Sequence, residues 1–166
     1  NYDVKSSLTD VINNVADSVV GVVVYSNGAA SGSGSGVVYR VNGNSAYIIT
    51  NEHVVSDASE VQVVFANGES VTANVVGGDT YSDIAVLQLT ADFEMTAIDC
   101  GDSSKLETGE TVLAIGSPLG IEYAGTVTQG IVSGTDRTVS VDLNDDGQDD
   151  WDMSVIQTDA AINPGN

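Results

Sequence analysis

The sequence predicts an all-β protein, and three observations carry that reading. Its apolar residues are mostly Val, Ile and Ala, with 18 Gly and only 2 Pro, the usage of short strands joined by tight turns. Strand-like runs recur at short intervals, separated by turn signals such as NGN at 42–44, ANG at 66–68 and GGD at 77–79. Nothing between the runs is long and periodic enough for a crossover helix, so the rhythm describes a sandwich or barrel and not βαβ units.

Taken in order, Leu8, Val11, Ile12 and Val15 sit at spacings of three and four behind a cap at Ser6 or Ser7, which predicts a short amphipathic helix over 8–16. The run VVGVVVY at 19–25 is too β-branched and too short for a stable helix and reads as a strand. Residues 29–36, AASGSGSG, have the composition of a flexible linker. They also fit a glycine-rich approach to a strand, and that reading is preferred because β character resumes at once over 37–41. Further strands are predicted over 46–50, 61–65, 70–76, 84–89, 111–115, 125–132, 137–142 and 153–157. The most polar gap, DCGDSSKLETGE at 99–110, is the natural join between two β units. It divides the chain into an N-terminal segment 1–18, a first unit 19–98, the connection 99–110 and a second unit 111–166.

A length of 166 residues fits one domain with a sizeable core. Four basic residues against 24 acidic ones give a formal charge of −20, which repels phosphate backbones and anionic headgroups and argues against nucleic-acid and membrane-surface roles. The same charge is read either as a solvated surface or as a field that draws in basic substrates. The single cysteine, Cys100, cannot form an intrachain disulfide and is expected as a buried reduced thiol. No charged-then-apolar leader and no long apolar stretch is present, so no membrane contact is expected of this chain, and any export signal is expected to have been removed.

The one histidine, His53, follows the apolar run AYIIT. Asp83 stands directly before IAVLQL, where a carboxylate at a strand entrance can orient an imidazole or simply bond the amides of its own turn. The residues QTDAAINPGN at 157–166 run a strand end into a Pro-Gly turn whose amides can converge on an anion.

Together, TNEHVV at 50–55, SDIAVL at 82–87 and QTDAAINPGN at 157–166 strongly resemble the HtrA (DegP-like, protease Do) family of trypsin-fold serine endopeptidases. SGSGVVY at 33–39, VLAIGSPLG at 112–120 and GIVSG at 130–134 add to the match, which spans about residues 19–166. The resemblance implies a double β-barrel, with the first barrel complete within 19–98 and the second begun but incomplete over 111–166. It carries the general base onto His53 and the triad aspartate onto Asp83, and it makes the backbone N–H of Gly165 half of the oxyanion hole. The family's serine lies in a GNSGG turn, so the nucleophile is expected immediately after Asn166. Residues 1–166 alone are therefore expected to be inactive, with the rest of the same domain as their first partner. The implied function is hydrolysis of protein or peptide substrates in extracytoplasmic quality control or processing, in a bacterial-like secreted, cell-envelope or periplasmic setting. Catalysis by this route needs no cofactor, and family members commonly form homotrimers.

One feature lies outside the resemblance. Residues 142–152, DLNDDGQDDWD, contain the opening of a calcium loop, with Asp142, Asn144 and Asp146 at alternate positions, Gly147 for the turn, Gln148 and Asp150 as further ligands, and Met153 where a bidentate Glu belongs. Calcium bound at a hairpin tip and a merely solvated acidic tip both fit. A noncatalytic, calcium-stabilised β module of a surface protein is accordingly the alternative to the protease.

Overall fold

Alternating apolar positions between residues 19 and 90 close a barrel, seen in a computed structural model that describes residues 7–117, 125–142 and 146–164. Helix α1 (Ser7–Val15) and a 3-10 turn (Ala16–Ser18) lead into β1 (Val19–Ser26), β2 (Ala29–Asn42) and β3 (Ser45–Thr50). The short helix α2 (Glu52–Val55) follows, then β4 (Glu60–Val64), β5 (Ser70–Asp79) and β6 (Ile84–Thr90). The strands are arranged β1-β2-β3-β6-β5-β4, and β4 pairs back onto β1.

The period-2 pattern explains the closure. Val20, Val22 and Val24 of β1, Ala46 and Ile48 of β3, Val61 and Val63 of β4, and Ala85, Leu87 and Leu89 of β6 are all buried and form one core with Val38. Phe65 and Phe93 close one end edge to face, with ring centroids 4.9 Å apart.

The glycine-rich run is part of a strand. Residues 29–37 pair with β1, from Val19 with Val37 to Val24 with Gly32 and, past a register shift at Ser31, Tyr25 with Ala30 and Ser26 with Ala29, so the linker composition is overridden by a backbone ladder that needs no side chains. The glycines admit close neighbours: a Cβ on Gly36 would meet Ile48 Cγ2 at 3.0 Å and Val22 Cγ2 at 3.1 Å, and one on Gly34 would meet Val54 Cγ2 at 2.9 Å.

The second unit is a three-stranded antiparallel sheet, β7 (Thr111–Gly116), β8 (Thr126–Val141) and β9 (Trp151–Thr158), with β8 central. The strands expected at 125–132 and 137–142 are one strand, β8. Register shifts on the β9 side between Val132 and Gly134 and between Gly134 and Arg137, with Asp136 at φ 54°, bend it without ending it. Cys100 corrects the expectation of a buried thiol: it is exposed, in the connection between β6 and β7, which outside the 3-10 turn Ser103–Lys105 has no regular structure to cover it. That connection is tied to the barrel through Ile98 N donating to Val38 O at 2.8 Å, and the two sheets are bridged by Ser117 N donating to Ser35 Oγ at 2.7 Å. Among the described residues no helix is long and apolar enough to cross a membrane.

The glycine contacts generate a contrast within one run. Gly36→Ala should destabilise the protein by about 1–3 kcal/mol in urea unfolding, the usual cost of overfilling a packed site. Gly32→Ala, whose Cβ meets a single side-chain atom, Val24 Cγ2 at 3.3 Å, should cost clearly less. Equal, negligible costs at both positions would mean that the run is not the strand described.

Candidate active site

The site begins where β3 ends. Strands β3 and β6 pair from Ser45 with Thr90 to Thr50 with Ala85, so the residues just past that last pair, Asn51 on one side and Asp83 on the other, arrive together at one end of the barrel. The turn before β6 is held by Asp79, whose Oδ2 accepts Ser82 Oγ at 2.6 Å and Ser82 N at 3.1 Å. Asp83 itself takes φ 53°, a left-handed conformation that Asp tolerates better than most residues but that still costs on the order of 1 kcal/mol.

That conformation aims every acceptor of Asp83 at the start of α2. Its carbonyl accepts Glu52 N at 3.2 Å and Asn51 Nδ2 at 3.2 Å. Oδ1 accepts His53 N at 2.9 Å, while Oδ2 accepts the His53 ring nitrogen Nδ1 at 2.8 Å and Asn51 Nδ2 at 3.0 Å. Asp83 thus caps α2 from the turn before β6, satisfying two N–H groups that so short a helix leaves without intrahelical partners, and grips the imidazole that the helix carries.

Partial burial pushes the Asp83 carboxyl up, but the His53 backbone N–H, the His53 ring and its charge, and the Asn51 amide outweigh it and hold the group below its usual value. An ionised carboxylate only accepts hydrogen bonds, so the proton of a neutral His53 is assigned to Nδ1 and the lone pair to Nε2. Nε2 makes no hydrogen bond to any described residue. The two side chains are not buried as a pair, at 71% exposure for His53 and 32% for Asp83, so the ring is open to an incoming group.

Two cavities flank this pair. One of about 450 Å³ beside the ring is lined by His53, Val54, Asp57, Ser31 and Ser33. A larger and more apolar one, about 680 Å³, lies between α1, the barrel and β7 and touches Asp83 but not His53. The smaller one has the better claim to the chemistry because, of the two, it is the one that His53 lines.

Of the residues singled out in the sequence, the structure brings His53 and Asp83 together. Gly165 and Asn144 lie outside the described residues. Within the described part of the acidic loop, Asp142 accepts Gly147 N at 2.7 Å and Asp146 N at 3.3 Å, Asp146 accepts Gln148 N at 2.9 Å, and the backbone Asp150 N donates to Val141 O at 2.9 Å. Among the described residues there is no group of three or more His, Cys, Asp or Glu side chains placed to hold a metal ion. The loop's neighbour Trp151 instead packs on Tyr81, in the turn before Asp83, with centroids 5.4 Å apart.

Asn51 is a site residue that sequence reasoning missed. The signal was its place two residues before the histidine, but that place shows a partner for Asp83 only once β3 and β6 are paired.

Residues 34–166 match the family described as trypsin-like peptidase domain. The chain is 45% identical over 178 residues to the serine protease Do-like HtrA of Bacillus subtilis (strain 168), covering 98% of this chain and 39% of that protein. It is 52% identical over 133 residues to the serine protease Do-like HtrA of Lactobacillus helveticus, covering 80% of this chain and 31% of that protein. Among solved structures, the HtrA-type protease AlgW with tripeptide superposes with a TM-score of 0.78 at 35% identity, over 97% of this chain and 48% of that one. The chain therefore spans well under half the length of these curated relatives.

The depressed Asp83 carboxyl links this contact to pH. A carboxylate whose folded value lies below its unfolded value of about 3.9 contributes stability that is fully present above the unfolded value and is lost as pH falls through the folded one. The difference in urea midpoint between the parent and Asp83→Asn should hold between about pH 5.5 and 4.5 and narrow below about pH 4. A difference already closing above pH 5 contradicts the depressed value.

Proposed function

The chain belongs to the trypsin-like peptidase domain family, in its HtrA (Do-like) branch, and from that premise we propose that it forms the base-bearing part of a serine endopeptidase acting on proteins outside the cytoplasm, in quality control or processing. The observation that carries the reading is the 2.8 Å contact of His53 Nδ1 with the Asp83 carboxylate, which leaves Nε2 without a partner among the described residues.

In this mechanism a serine hydroxyl, which the family places directly after Asn166, donates its proton to His53 Nε2 while its oxygen attacks a peptide carbonyl. The tetrahedral oxyanion is met by the Gly165 N–H. The imidazolium, stabilised by ionised Asp83, then gives that proton to the departing amine, and the acyl group stays on the serine. Water repeats the sequence: His53 takes its proton, the hydroxyl attacks the ester, and collapse returns the proton to the serine and releases the acid. Each step uses the tautomer that Asp83 enforces, and Asn51 holds the second lone pair of the same carboxylate oxygen, so the acid cannot turn away from the ring.

The relatives support the substrate class, since their names describe serine proteases. The full-length protein should hydrolyse an unfolded protein such as casein and be labelled by a fluorophosphonate. Asp83→Asn should lower kcat by about 10⁴-fold, the scale seen when such a triad loses its tautomer control, and His53→Ala by about 10⁶-fold, the scale seen when it loses its base. Parent-like turnover in His53→Ala would sink the proposal.

A further inference from the structure

Strand β9 leaves its sheet at Thr158, and the way it leaves is unusual. On one side of β8 the ladder to β7 is complete, and Val132 N donates to Glu110 O at 2.8 Å. The neighbouring Ile131 N points to the other side, where β9 would next supply a carbonyl. It meets a side chain instead: Asp159 Oδ1 accepts Ile131 N at 2.7 Å. Two residues further on, Thr128 Oγ1 donates to Ala161 O at 2.7 Å, and between these bonds Ala160 is buried, with its N donating to Thr158 Oγ1 at 3.0 Å. Gly130 makes the crossing feasible, because a Cβ there would fall on Ala160 N and Asp159 Oδ1.

Residues 159–161 therefore keep running antiparallel to β8, held by side chains in place of the backbone ladder. A regular ladder would engage alternate N–H groups of this segment with β8. Here the N–H groups of Ala161, Ile162 and Asn163 make no hydrogen bond to any described residue. The chain beyond this point leads to Pro164, the last described residue.

We propose that Asp159 is a positioning residue which, with Gly130 and Thr128, sets the direction in which residues 162–164 leave β8, and through them places the Gly165 amide to which the proposed function assigns the oxyanion. This rests on the protease reading and deepens it. Asp159 touches neither substrate nor reacting atoms; its effect passes through the backbone of residues 162–164. An oxyanion-hole donor is worth about 10² to 10³ in kcat only when it lies within hydrogen-bond distance of the developing charge, so a small displacement of that backbone is costly while substrate binding elsewhere is untouched.

The test uses the full-length protein with a fluorogenic peptide substrate and, separately, a fluorophosphonate. Asp159→Ala should lower kcat by about ten- to a hundredfold with KM changed less than about threefold, and should slow fluorophosphonate labelling to a similar degree. Asp159→Asn, which keeps an oxygen acceptor for Ile131 N, should restore most of kcat. Gly130→Ala should behave like Asp159→Ala. Parent-like kcat in Asp159→Ala, or a loss that Asp159→Asn does not relieve, overturns the proposal. If Asp159→Ala does not fold, Thr128→Val, which removes only the bond to Ala161, decides: a kcat-specific loss supports the proposal and parent-like kcat overturns it. Failure of the protease reading is distinct, since the parent itself would then neither cleave peptide nor take the label.

Discussion

The register between β3 and β6 is the constraint on which the site depends. It is set along six paired positions, from Ser45 with Thr90 to Thr50 with Ala85, and it is locked because Ala46, Ile48, Ala85, Leu87 and Leu89 must all face the barrel interior. A slip by one residue would turn each of them outward, so the core forbids it. The same register delivers His53 and Asp83, thirty residues apart in sequence, to a separation of 2.8 Å. The ring and the carboxylate are thus positioned by burial of Val, Ile and Leu far more than by their own attraction, which at this exposure is weak.

Carboxylates dominate this chain, and the structure shows how an acidic sequence with few cations uses them. The one Lys or Arg that forms a salt bridge among the described residues is Lys105, with Asp102 at 3.1 Å. Elsewhere Asp side chains accept N–H groups where the backbone lacks a partner: Asp79 from Ser82, Asp83 from His53, Asp102 from Ser104, Asp142 from Gly147 and Asp159 from Ile131. Hydrogen bonds of this kind stabilise the ionised form, and the carboxyls of Asp79 and Asp102 are held below their usual value chiefly by the Ser82 and Ser104 side chains. The negative charge is therefore, in part, a set of turn and strand-end fastenings.

What the sequence revealed follows the same division. Strands over 46–50, 84–89 and 111–115 were legible because alternation and β-branching mark them locally. The resemblance in TNEHVV and SDIAVL pointed to His53 and Asp83 before any geometry. The strand character of 29–36, the continuity of β8 through its bulges and the exposure of Cys100 were not legible, because each depends on what another segment does. A glycine run becomes a strand only when β1 lies alongside it, and a connection shields its cysteine only if something packs over it. Asn51 and Asp159 lie within TNEHVV and QTDAAINPGN, yet the sequence marks no role for either, since a side chain that bonds a distant group leaves no periodic trace.

Asp83 and Asp159 are two uses of one device. Asp83 directly precedes β6 and Asp159 directly follows β9, and each accepts a backbone N–H from a segment about thirty residues away in sequence, at 2.9 Å and 2.7 Å. A carbonyl in the same place would have continued a ladder and kept the chain in the sheet. A carboxylate satisfies the same donor from the side and leaves its own backbone free to turn, as the left-handed φ of Asp83 and the departure of 159–161 from β9 both show. The barrel and the second sheet each need such an exit, because a strand presents its side chains only above and below the sheet. Groups aimed past the strand ends need a different support, and an acidic residue just beyond the ladder provides that aim while satisfying the amide across from it.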